Sequence, residues 1–213
     1  KHRNELKDLC SERDLRIIQS RIYPICAHDR HASGDGIYHI RSVYFDDPQN
    51  RCYYENENGT DPREKFRIRI YNHSTDRIML ECKRKERGKT LKTACALTRE
   101  QTLHLMKGEV LPDIGSQHPL LQKLTLQMLT RRLRPVVIVE YDRIPYVYSC
   151  GNVRITLDTN ISLSTDIGNF LDEQIPKRPV LATGQQLLEV KYDEFLPDFI
   201  YRNLQLQNLQ QIN

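Results

Sequence analysis

The run KFRIRIY at 65–71 limits what this chain can become more than any other stretch. Lys65, Arg67, Arg69 and Tyr71 alternate there with Phe66, Ile68 and Ile70. Side chains alternate across a β-strand, so a strand here has one cationic and one apolar face. A helix would mix both classes around its circumference. The pattern recurs. Residues 78–85 set Glu81, Lys83 and Lys85 against Leu80 and Cys82. Residues 153–158 set Arg154, Thr156 and Asp158 against Val153, Ile155 and Leu157. Residues 187–193 set Glu189, Lys191 and Asp193 against Leu188, Val190 and Tyr192, and Arg41 and Arg143 fall in two further strand-like runs.

The remaining strands are read at 2–9, 37–46, 91–97 and 136–146, with turn signals NHSTD, ERGK and SCGN between several of them. Ser11 with Asp14 predicts a capped helix that Pro24 stops, carrying Leu15, Ile18 and Ile22 on one face. Thr98 with Gln101 predicts a second helix ending near Gly108, and Pro119 opens a third with Leu121, Leu124 and Met128 inward. A last helix is predicted from Pro197. Residues 159–185 read as an irregular excursion. The 213 residues suit one domain over 1–213, with no internal repeat or linker.

Composition excludes several classes. The six cysteines show no CxxC spacing and no clustered histidine, which argues against zinc and for reduced thiols in an intracellular protein. His28, His31 and His39 do not have a ligand spacing. Apolar runs stay short of the ~20 residues of a membrane helix. The net charge of +4 is too mild to establish a polyanion partner, so placement of charge matters more than its sum.

Two architectures use the alternation. In one, each polar face meets water, as half-solvated antiparallel sheets do. In the other, the apolar faces lie under helices and the charged faces converge inside a closed barrel, stable only with water, ion pairs and an anionic ligand. Arginine suits that interior because its planar fork grips phosphate oxygens and stays protonated. Glu81 reads as a counter-charge within the basic face, Asp158 and Asp193 as cap or turn residues, and Tyr44 as a packing residue.

The segments YHIRSVYFD, REKFRIRIYN, LECKRK, LRPVVIVEYDR, VRITLD and LLEVKYDEFLP, in this order, resemble the VTC domain, the polyphosphate polymerase domain. It is a branch of the CYTH or triphosphate tunnel metalloenzyme superfamily, and the resemblance is to its bacterial type. It implies an α+β fold, a closed antiparallel eight-stranded β-barrel with helices outside. It also implies transfer of the ATP γ-phosphate onto a growing inorganic polyphosphate chain, with Mg²⁺ or Mn²⁺. By the motifs, Arg67, Arg69, Lys83, Arg143 and Arg154 are the expected catalytic cations. Lys7, Lys92, Lys191 and Arg41 are the expected phosphate ligands, and Glu189 the metal ligand. ATP and polyphosphate are the expected partners. Nucleic acid is not, because these arginines alternate within strands instead of forming an exposed basic surface with aromatics.

The family pattern is not complete. Wider superfamily members carry E-x-E-x-K in the first strand, where this chain has Arg3, Glu5 and Lys7. One carboxylate fewer favours a transferase over a metal-dependent triphosphatase. The family also ends in a short strand with a Ser-Lys pair, so the domain is expected to lack that strand. A non-catalytic polyphosphate- or nucleotide-binding module is the alternative from another class. A cytoplasmic setting is expected, including the inner face of a membrane, with a membrane protein as an open partner.

Overall fold

Alternation at 65–71 is realised as strand, with Phe66, Ile68 and Ile70 buried. The computed structural model describes residues 4–28, 36–87, 89–204 and 209–212. Arg3, His31 and the side chain of His28 lie outside the described residues. The elements are β1 (Asn4–Ser11), α1 (Glu12–Ile22), β2 (Ala27–His28), β3 (Tyr38–Asp46), α2 (Arg51–Glu57), β4 (Arg63–Tyr71), β5 (Ser74–Glu86) and β6 (Lys89–Leu97). They continue with α3 (Arg99–Met106), α4 (Pro119–Arg131), β7 (Arg134–Tyr148), β8 (Val153–Ser164), β9 (Arg178–Pro179), β10 (Gln185–Tyr192), α5 (Asp198–Asn203) and β11 (Gln210–Gln211). No helix among the described residues is long and apolar enough to cross a membrane.

The predicted helix starts hold. Ser11 and Asp14 form a reciprocal capping box, as do Thr98 and Gln101. Pro119 sits in the first turn of α4, and the Nδ1 of His118 accepts the Leu120 N–H at 3.1 Å. One element is new and one reading changes. Residues 51–57, assigned no element from sequence, form α2, whose first N–H groups are held by side chains: Asp46 accepts from Cys52 and Tyr53, and Asp47 from Arg51. β8 runs on through Ser164, with Asn160 at φ 54°, so the excursion begins later than expected.

The chain divides into two compact units, each with its own core. Unit 1 comprises Lys1–His39, Tyr141–Ser162 and Pro179–Asn213. Its strands pair in the order β11–β1–β10–β8–β7. Ile18, Ile22, Tyr146, Ile155, Leu157, Leu188, Val190 and Ile200 form its core, under α1 and α5. At its SCGN turn, Gly151 has φ +73°, and a Cβ there would meet the Phe195 carbonyl oxygen at 2.6 Å.

Unit 2 comprises Ile40–Glu140 and Leu163–Arg178, with the order β7–β3–β4–β5–β6. Its core gathers Val43, Ile68, Ile70, Leu80, Leu105, Leu124, Ile138 and Phe170, with α3 and α4 laid on β5 and β6. Each fully buried aliphatic of this kind contributes about 1.5–3 kcal/mol.

The fold is thus α+β with a large antiparallel sheet and few helices. The expected closed barrel of eight strands is not formed by hydrogen bonds among the described residues. The order has two ends, β11 and β6. Residues 89–94 of β6, including Lys89 and Lys92, are exposed, and lysines suit a strand edge.

Candidate functional site: two polar sheet faces

In unit 2, β4, β5 and β6 place Lys65, Lys83 and Lys92 directly opposite one another on a single rung. Arg67 occupies the next position on the same face, between Tyr44 of β3 and Glu81 of β5. Its Nε donates to Glu81 Oε2 at 2.7 Å and its Nη2 lies 2.6 Å from the same oxygen. Its Nη1 donates to the Tyr44 phenol oxygen at 3.0 Å. Lys92 Nζ reaches the other oxygen, Glu81 Oε1, at 2.5 Å. One buried carboxylate therefore serves two cations. Burial pushes the Glu81 carboxyl upward, but Arg67 and Lys92 overcome that and hold it below the ordinary value. Arg69 is buried, donates from Nε to Ser42 Oγ at 3.0 Å and lies 5.9 Å over the Tyr71 ring. Burial and the neighbouring cations Arg63 and Lys83 outweigh the favourable contacts of Lys65 and lower its pKa.

In unit 1 the charges interleave. Lys191 of β10 lies between Glu5 of β1 and Arg154 of β8, and Glu189 lies between Lys7 and Thr156. Lys191 Nζ binds Glu189 Oε1 at 2.6 Å, and Lys7 Nζ binds Glu5 at 3.0 Å. Arg143 grips Asp158 with two bonds of 2.6 Å and lies 3.4 Å from Glu189. Its guanidinium is 5.2 Å from the Tyr141 ring centroid. Burial opposes ionisation of Glu189. The Glu5 carboxyl in hydrogen-bond contact and the charges of Lys191 and Arg143 reverse this and hold its pKa well below the usual carboxylate range. Arg143, Arg154, Thr156, Glu189 and Lys191 line a cavity of about 60 Å³. That is room for a few waters.

The strands thus bring Arg67, Arg69, Lys83 and Lys92 together on the unit 2 face. They bring Lys7, Arg143, Arg154, Glu189 and Lys191 together on the unit 1 face. Arg41 is placed elsewhere. It stands opposite Ile70, on the core side of β3, and is 1% exposed. Its Nε donates to Glu140 at 2.7 Å, and its terminal nitrogens donate to the carbonyls of Phe170, Asp172 and Glu173. Lys177 is the second partner of Glu140. Arg41 therefore pins the 170–173 segment onto unit 2 instead of facing the other arginines.

Sequence reasoning missed three participants. Asp158, read as a cap, is the bidentate partner of Arg143. Ser42 and Tyr44, unremarkable in sequence, sit opposite Arg69 and Arg67. Only register reveals this. Among the described residues no group of three or more His, Cys, Asp or Glu could hold a metal ion. The carboxylate pair Glu5 and Glu189 fits a different kind of site, in which a hard cation takes one or two carboxylates and completes its shell with substrate phosphates.

The sequence matches the model of the VTC domain over residues 2–213. No curated protein matches it. Among solved structures, it is similar to a candidate adenylate cyclase from Bacillus halodurans. The TM-score is 0.55 at 13% identity, covering 96% of this chain and 88% of that one. A candidate adenylyl cyclase from Hippeastrum with a dominant triphosphatase activity matches at TM-score 0.47 and 12% identity, covering 91% and 80%. A protein from Pyrococcus horikoshii matches at TM-score 0.47 and 13% identity, covering 100% and 93%.

Proposed function

The chain belongs to the VTC domain family, and from that premise we propose that it is a polyphosphate polymerase. It would transfer the γ-phosphoryl group of ATP to the end of an inorganic polyphosphate chain and release ADP. The observation that carries this reading is the rung Lys65–Lys83–Lys92 beside Arg67 and Arg69, with Glu81 as the buried counter-charge on that face. Like charges directly opposite on neighbouring strands repel. A multiply charged phosphate chain relieves that repulsion, and guanidinium and ammonium groups are its natural ligands.

Phosphoryl transfer asks the protein mainly for positioning and charge stabilisation. Arg67, Arg69, Lys83 and Lys92 would hold chain oxygens on unit 2. Arg143, Arg154, Lys191 and Lys7 would hold phosphate on unit 1, with Arg143 kept in place by Asp158. The attacking chain end is already an anion, so no side chain has to remove a proton from it. Glu189, with Glu5 beside it, would hold Mg²⁺ or Mn²⁺ together with phosphate oxygens. When bound, that ion would supply neutralisation of the triphosphate charge. Closure of the strands into a tunnel around the substrate and a cytoplasmic setting are part of the same reading.

The test is incubation with ATP and Mn²⁺, with products resolved on a gel stained for polyphosphate and ADP quantified beside it. A polymer ladder with matching ADP is expected. Free phosphate without polymer would instead identify a triphosphatase, and binding without turnover a sensor module.

A further inference from the structure

Tyr44 lies opposite Arg67 and is half-buried. Its phenol oxygen accepts from Arg67 Nη1 at 3.0 Å, and the Arg67 guanidinium stands 5.9 Å from its ring centroid. A phenol accepts through its lone pairs and donates one proton. That proton has no acceptor among the described residues. The charged groups acting directly on the phenol are Arg67, Arg69 and Lys65, all on β4 and all donors. Glu81 of β5 reaches it only through Arg67. A donor ringed by donors needs an acceptor that the protein does not supply. Accepting from a guanidinium also polarises the O–H bond and makes it a stronger donor.

We propose that Tyr44 is a substrate-binding residue whose phenol O–H donates to a phosphate oxygen of the chain held beside Lys65, Arg67 and Arg69. This rests on the reading of that face as a phosphate site. The phenol carries the polarisation of Arg67 to a point the guanidinium does not occupy. It adds a directional bond to a face otherwise built of charges. The surroundings agree: burial would raise the phenol pKa, yet Arg67, Arg69 and Lys65 bring it below the ordinary value.

The experiment is calorimetric titration of inorganic tripolyphosphate into the wild-type protein and Tyr44→Phe from pH 7 to 9.5. Circular dichroism and thermal unfolding confirm that the variant is folded. The substitution keeps the ring and removes only the hydroxyl. At pH 7 the variant is expected to bind about 10–100-fold more weakly, the loss of one hydrogen bond to a charged group. As the pH rises and the phenol ionises, the ratio of the two affinities should fall toward one. The Tyr44 charge also acts on Lys65, so the same pair of titrations is run in a Lys65→Ala background, where the ratio isolates Tyr44. Equal affinity at pH 7 overturns the inference. A weaker variant whose deficit stays constant with pH also overturns it, leaving Tyr44 as a support for Arg67 alone. Absence of tripolyphosphate binding in the wild type removes the phosphate-site reading itself, and this inference with it.

Discussion

In unit 1 the rungs Glu5–Lys191–Arg154 and Lys7–Glu189–Thr156 interleave carboxylates with cations, whereas in unit 2 the rung Lys65–Lys83–Lys92 stacks three ammonium groups. Strand alternation built both faces, yet they are electrostatically different objects. The unit 1 face largely satisfies its own charges, through Arg143 with Asp158, Lys191 with Glu189 and Lys7 with Glu5. The unit 2 face shares Glu81 between Arg67 and Lys92. Like charges set opposite one another on that rung repel, and a bound anion offsets the repulsion. A polar sheet face can thus interleave opposite charges or stack like ones. Register, not composition, separates the two.

The sharpest break of this comparison is Asp158→Ala. It leaves a nearly buried guanidinium, 15% exposed, without its bidentate partner. It should cost about 3–5 kcal/mol in urea unfolding, as loss of one member of a buried pair does. A cost below 1 kcal/mol would show that the unit 1 network is not structural.

Arg41→Met comes next. It removes a buried pair with Glu140 and the donors to three carbonyls, so about 3 kcal/mol of stability should be lost. Because Arg41 faces the core side, affinity for tripolyphosphate should stay unchanged. A large drop in affinity without loss of stability would return Arg41 to the binding face.

Acid should weaken both units. Glu189, Glu81 and Glu140 all have folded pKa values below their unfolded ones. Their stabilisation is therefore present above the ordinary glutamate value of about 4.3 and is lost as pH falls through and below it. Thermal unfolding between pH 7 and 3 reads this. Stability that is flat or rises on acidification would contradict the ion-pair assignments.

The smallest expected effect has the opposite sign to most substitutions. Lys83→Ala removes the middle charge of the unit 2 rung and should stabilise the ligand-free protein by a few tenths of a kcal/mol in urea. Destabilisation by 1 kcal/mol would mean that cross-strand repulsion does not dominate at Lys83.

Much of this was legible in sequence where alternation is strict. Arg67 and Arg69 sit between Phe66, Ile68 and Ile70, so their face followed directly. Arg41 did not, because nearly every residue of β3 is buried and a period of two then carries no information about face. The helix α2 has no buried residue, so it lacks the apolar stripe that marks a helix and depends on the Asp46 and Asp47 side chains instead. The Arg143–Asp158 and Tyr44–Arg67 pairs join residues 15 and 23 apart in the chain. Such pairs exist only once register is fixed, which no local pattern specifies.

Thermal unfolding with and without inorganic tripolyphosphate, for the wild type and for Lys83→Ala, tells the two kinds of face apart most directly. A rise in Tm of several degrees is expected for the wild type at saturating ligand, most of it absent in the variant. A wild-type Tm that does not move, or a rise equally large in Lys83→Ala, would contradict the reading of the unit 2 face as an unfinished phosphate site.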